Sequence, residues 1–206
     1  MRTWMLLICM LTCANVSHAQ NTDIDLLRQV NVERNTNLDG FYKVLTHSDA
    51  PISLAVPAVI LTVGLIQKDS ITKRKGIMIA GSLLISTVVM VGMKWGINRD
   101  RPFVTYSEIE KLVPAGSPSF PSGHTSMAFS TATSLSIAYP KWYVIAPSFL
   151  WASGVGYSRM HLGVHYPSDV LVGAIIGSGS AWLSSVITRK VFGEYRIKRS
   201  KRPRFL

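Results

Sequence analysis

Five stretches of this chain run for 17 or more residues without Asp, Glu, Lys or Arg: 50–67, 76–93, 112–140, 142–158 and 170–188. Each approaches the ~20 residues that an α-helix needs to cross the hydrocarbon core of a bilayer. Lipid offers the backbone no hydrogen-bond partner, so segments of this kind span as helices that satisfy their own amides. Five of them in 206 residues, separated by short loops, argue against the buried helices of a water-soluble protein. The expected fold is therefore all-α: a polytopic transmembrane helix bundle of about five spans. The third stretch is longer than a span requires. Its first part, LVPAGSPSF, carries Pro114 and Pro118 and reads as a loop, so its helix is expected to open at Pro121.

Orientation follows from the ends and from charge. The opening MRTWMLLICMLTCANVSHAQ has one arginine, a short apolar run and small residues at Ser17 and Ala19, the pattern of a signal peptide over 1–19. An uncleaved anchor is the other reading of its single basic residue. Both cysteines, Cys9 and Cys13, lie inside it, so its removal leaves no thiol for disulfides, zinc sites or nucleophilic catalysis. With the segment after Ala19 outside, the loop 68–75, Lys141 and the tail from 189 fall inside. These regions hold 13 of the 22 basic residues, in agreement with the positive-inside rule. The net charge of +11 thus punctuates apolar runs instead of lining one face, which argues against nucleic-acid binding.

The domain boundaries expected are a signal peptide at 1–19, an extracytoplasmic amphipathic segment at 20–49, a membrane domain at 50–190 and a basic cytoplasmic tail at 191–206. In 20–49, Ile24, Leu26, Leu27, Val30 and Val32 suggest one short amphipathic helix, lying on the membrane surface or packed on the bundle. In the last span, Gly173 and Gly177 with Ser178, Gly179 and Ser180 form a close-approach face for a helix of the same chain or of another copy.

This topology, reached from the N-terminal pattern and from charge, brings three clusters to the outer face. They are Lys94 to Arg101-Pro102; Pro121-Ser122-Gly123-His124; and Ser158-Arg159 through His161 and His165 to Asp169. Cations at headgroup level with one close carboxylate fit a phosphate ligand. With Pro121 as first helical residue, the N–H groups of Ser122 and Gly123 would point outward at the positive end of a helix dipole, Gly123 would allow close approach, and the Ser122 hydroxyl would add a donor. His124, beside the same anion, suits a general acid for a leaving alkoxide.

Lys94-x6-Arg101-Pro102, Pro121-Ser122-Gly123-His124 and Ser158-Arg159-x5-His165-x3-Asp169 resemble the three signature motifs of the type 2 phosphatidic acid phosphatase (PAP2) superfamily, in order and spacing. The resemblance covers about 50–190. It implies a membrane helix bundle that hydrolyses phosphate esters through a phosphohistidine, with no metal and no cofactor. Carried onto this chain, it makes His165 the nucleophile, Asp169 the partner of its other ring nitrogen, and His124 the proton donor. Lys94, Arg101, Ser122, Gly123 and Arg159 would then hold the phosphoryl oxygens. His161 competes with His165 for the nucleophile's place, but only His165 fits both spacings; His161 is expected behind the site or at a headgroup. Arg99 is expected either on the substrate or in a rim pair with Asp100.

A site between helices at the interface implies a lipid phosphate as substrate, with the bilayer as the other partner. The layout looks like that of a small bacterial phosphatase of the inner (cytoplasmic) membrane with its active site facing the periplasm. The resemblance offers lipid A, undecaprenyl diphosphate and phosphatidylglycerol phosphate as substrates. Two alternatives stay open at this point: phosphotransfer between lipids, and a non-catalytic anion- or lipid-binding protein. Vanadate haloperoxidases share the motifs, but the five spans argue against them. The oligomeric state is not written in the sequence.

Overall fold

A computed structural model describes residues 22–193, which are helical throughout their regular structure. The helices are α1 (22–31), α2 (Asp39–His47), α3 (Asp49–Ile66), α4 (Ser70–Ile97), the single turn α5 (Pro102–Thr105), α6 (Gly123–Ala138), α7 (Trp142–His161) and α8 (Pro167–Phe192). Each uncharged stretch becomes one long helix: α3, α4, α6, α7 and α8. Three segments, Thr36–Ile66, Ser70–Thr105 and Pro167–Phe192, are long and apolar enough to cross a membrane. The 16-residue α6 is more polar, because it buries Thr125, Ser126, Ser130, Thr131 and Ser134. The expected signal peptide at 1–19 and nearly all of the basic tail lie outside the described residues.

Local chemistry sets the helix ends. Asp69 caps α4 by accepting from the N–H groups of Ile71 and Thr72. The same helix stops where Asn98 turns left-handed at φ 48° and donates its N–H back to the Lys94 carbonyl. Pro167 opens α8, since its missing N–H would have had no partner there. The start of α6 differs from expectation. Ser122 is the N-cap, its hydroxyl accepting from Thr125, and the helix opens at Gly123. A serine oxygen satisfies an orphan amide, which a proline ring cannot do.

The bundle is apolar outside and hydroxyl-rich within. Leu54, Val59, Leu65, Leu84, Val88, Leu171 and Ile175 are exposed. Inside, Ser82, Ser86, Ser126, Ser130 and Ser134 are buried and bonded to one another or to backbone carbonyls across α4 and α6. In lipid the hydrophobic effect does not draw helices together, so close backbone packing and such bonds hold them. Gly173 and Gly177 supply that closeness. A Cβ at Gly177 would stand 2.2 Å from the Ser126 carbonyl oxygen, and one at Gly173 would stand 2.7 Å from that of Ser122. The neighbour of the small-residue face is therefore α6 of the same chain.

Of the two placements open to the 20–49 segment, the described part takes the second. It folds as two helices packed on the bundle. Ile24 and Leu27 are buried with Ile109 and Tyr166, whereas Leu26 and Val32 are exposed. Asn31, fully buried, donates to the carbonyls of His161 and Glu110 and accepts from the Glu110 N–H. Arg28 pairs with Glu108, and Arg34 with Asp39 and Glu110. The N-terminal segment thus ties the 103–120 loop to the end of α7.

Candidate active site

The three clusters meet at one end of the bundle around a cavity of about 400 Å³. Lys94 reaches it from the last turn of α4 and Arg101 from the turn after α4. Gly123 and His124 come from the start of α6, Arg159 from the end of α7, and His165 from the α7–α8 turn. Six of the eight predicted residues therefore line one space. Ser122 and Asp169 stand behind its wall.

His165 and Asp169 are buried. The His165 Nδ1 lies 3.3 Å from Asp169 Oδ2, the (i, i+4) spacing across the start of α8. Oδ2 also accepts from Ser119 Oγ at 2.5 Å and from the Tyr166 N–H at 3.0 Å, while Oδ1 accepts from Arg99 Nη1 at 2.8 Å. With Nδ1–H directed at the carboxylate, the lone pair of Nε2 is on the cavity side, 3.4 Å from Arg101 Nη1. Burial pushes the His165 ring down to about 3, against the opposing pull of its bond to Asp169. A ring held neutral at ordinary pH is a competent nucleophile.

The cations lean on neutral groups. Lys94 donates to the Pro118 carbonyl at 2.5 Å, and Arg101 to the carbonyls of Ser117 and Val164 at 2.7 and 2.6 Å. Arg159 donates to Thr46 Oγ1 at 2.6 Å, and its buried Nε has no hydrogen-bond partner among the described residues. Three cations held by carbonyls and a hydroxyl leave positive charge uncompensated, the condition for binding an oxyanion.

The structure alters several expectations. The Ser122 N–H donates to the Asp169 carbonyl at 3.0 Å, and its hydroxyl accepts from Thr125 Oγ1 at 2.9 Å. The amides at the start of α6 left without an intrahelical partner are those of Gly123 and His124, one residue later than expected. Arg99 neither faces the cavity nor pairs with Asp100; it binds Asp169, Ser168 and Asp23, and its guanidinium stacks 3.8 Å from the Tyr166 ring centroid. His161 is buried behind the site, with Nε2 2.7 Å from Asp39 Oδ1 and its ring against Tyr42.

Sequence reading missed Asp49, a buried carboxylate on the cavity wall that accepts from Ser53 Oγ at 3.2 Å. Its one visible signal was its position immediately before the first uncharged stretch. Asp23, Ser119 and Thr46 were also missed, because they reach the site only through tertiary contacts.

The PAP2 superfamily model matches residues 75–192. Curated relatives include an undecaprenyl-diphosphatase of Sulfolobus acidocaldarius, 34% identical over 55% of this chain and 55% of that protein. A lipid A 4'-phosphatase of Bacteroides thetaiotaomicron is 33% identical over 50% of this chain and 45% of its own. The chain spans about half the length of these relatives. Among solved structures, Aquifex aeolicus LpxE superposes with a TM-score of 0.71 and 32% identity, covering 80% of this chain and 95% of that one. The transmembrane PAP2-type phosphatidylglycerolphosphate phosphatase of Bacillus subtilis gives 0.73 at 24% identity over 95% and 96%, a likeness of fold. With the matched region enclosing most of the cavity wall, this chain belongs to the PAP2 superfamily.

Proposed function

We propose that this protein is a metal-independent lipid phosphatase that works through a phosphohistidine. The observation that carries the reading is a neutral imidazole nitrogen facing a cavity whose cations have only neutral partners. His165 Nε2 attacks phosphorus in line with the ester oxygen, so the N–P bond forms as the P–O bond breaks. The ring becomes cationic, and Asp169 stabilises it through Nδ1–H. Lys94, Arg101, Arg159 and the amides of Gly123 and His124 hold the phosphoryl oxygens as charge moves to the leaving group. A phosphate dianion beside His124 favours its protonated ring. That proton goes to the leaving alkoxide, and His124 then takes one from the water that splits the N–P bond. Inorganic phosphate leaves, and both histidines return to their starting state.

The substrate classes supported by the relatives are lipid A, undecaprenyl diphosphate and phosphatidylglycerol phosphate. The distribution of basic residues supports presentation of such a lipid to a periplasmic site in a bacterial inner membrane. The test is phosphate release from each lipid by the detergent-purified protein with EDTA present. Release from at least one lipid is expected, together with an acid-labile phosphoenzyme. His165→Ala should lower release by about 10⁴-fold or more, the scale of losing a nucleophile. Activity that survives in His165→Ala, or that EDTA removes, would overturn the mechanism.

A further inference from the structure

We propose that Arg99, held in place by Asp23 of α1, is a positioning residue for the His165–Asp169 pair. This inference rests on the nucleophilic role of His165 proposed above. The two oxygens of Asp169 are divided: Oδ1 takes the Arg99 bond at 2.8 Å, and Oδ2 takes Ser119, the Tyr166 amide and His165. A carboxylate bound on one oxygen alone can rotate about its Cβ–Cγ bond. With Arg99 on Oδ1, rotation would break a charged bond, so Oδ2 stays on His165 Nδ1 and Nε2 stays aimed at the cavity.

Arg99 is itself fixed from three sides. Its Nη2 donates to Asp23 Oδ2 at 2.8 Å, its Nη1 also donates to Ser168 Oγ at 2.8 Å, and its plane lies on Tyr166. Asp23, buried, accepts in addition from the Ser168 N–H at 2.8 Å and from Ser168 Oγ at 2.5 Å. One carboxylate from outside the membrane domain therefore clamps both the arginine and Ser168 in the first turn of α8, the residue next to Asp169. The guanidinium fork suits this task because it offers parallel donors in a rigid plane. Arg99 is not among the residues around the cavity that His165 faces; it lines an adjoining space beside Arg101 and Ser117, and its bonds run to Asp169, Asp23 and Ser168.

The experiment compares the full-length protein with Arg99→Gln, Arg99→Lys and Asp23→Asn, reading kcat, KM and inhibition by orthovanadate and by inorganic phosphate. Vanadate adopts the five-coordinate geometry of the transferring phosphoryl group and so reports the aim of Nε2; phosphate reports the cation cradle. Arg99→Gln should lower kcat and weaken vanadate binding in parallel, each by about tenfold to a hundredfold, the scale of a misplaced reacting group. KM and phosphate inhibition should stay within about threefold. Arg99→Lys should recover part of the loss, and Asp23→Asn should show the same pattern more weakly.

A rise in KM and in the phosphate constant with kcat retained would make Arg99 a substrate ligand and overturn the proposal. Equal loss of vanadate and phosphate binding, with a lowered melting temperature, would make it merely structural. If Arg99→Gln does not purify as a folded protein, Arg99→Lys and Asp23→Asn carry the same readouts, and unchanged kcat in both would overturn the proposal. His165→Ala separates the two readings. If it is inactive while the Arg99 variants behave like the parent, only this inference falls; if it stays active, the phosphohistidine itself falls.

Discussion

Two buried polar regions lie within one small bundle, and they obey different rules. At mid-bundle, the serines of α4 and α6 are neutral, and each completes its bonds with a neighbouring hydroxyl or a carbonyl. At one end of the bundle, charges are gathered from helix ends, turns and the N-terminal helix. There Asp169 and Asp23 are paired with Arg99, while Lys94, Arg101 and Arg159 have only neutral partners. A satisfied hydroxyl is inexpensive in low dielectric, whereas a charge without a counter-charge is costly to bury. The first region can serve packing alone. The second carries an imbalance that an arriving anion relieves, and it is where chemistry is expected.

That contrast can be broken by substitution. Arg101→Ala should have the largest effect in this set, lowering kcat/KM by about 10²- to 10³-fold as an oxyanion donor is lost, with little change in melting temperature. Phosphate-release kinetics and a thermal melt of the same preparation would check both halves. Gly177→Ala should act in the opposite sense. Its Cβ would stand 2.2 Å from the Ser126 carbonyl oxygen, so α6 and α8 must part, at about 1–3 kcal/mol. The melt in detergent should drop clearly, and activity should fall only as far as the displaced start of α6 carries His124 with it.

Acid should find the charged region before the hydroxyl seam. The His165 pKa is depressed to about 3 in the folded protein, against ~6.5 when unfolded. Its contribution to stability is therefore complete above about 6.5 and is lost as pH falls from there towards 3. Melting temperature measured between pH 7 and 4 should decline, and His165→Ala should decline less steeply than the parent. The smallest effect belongs to Ser82→Ala, which removes bonds shared with Ser134 and Ser130. About 0.6 kcal/mol is expected, the average for an interhelical bond in a membrane protein, with kcat within twofold of the parent. A large loss of activity there would mean that the seam is not merely packing.

Much of this was legible in the sequence. Uncharged runs located the five long helices, because a helix in lipid must be apolar along most of its length. Spacing placed Asp169 one turn after His165, because (i, i+4) residues share a helix face. The start of α6 was misjudged by two residues: Pro121 and Ser122 both signal a helix start, and a serine that can cap wins over the proline before it. Arg99 read as a substrate contact or a rim charge because its partners lie 70 and 76 residues away.

The sequence by itself determined the class of fold, the membrane-like exterior and the residue types gathered at one end, since these depend on local composition and on helical period. Only the tertiary structure decided that the small-residue face of α8 receives α6, that the N-terminal helix packs on Tyr166 and holds Arg99 and Ser168 from behind the site, and that Asp169 has one oxygen for His165 and the other for Arg99. Such choices depend on which distant atoms come within about 3 Å, and no local pattern encodes a distance between helices.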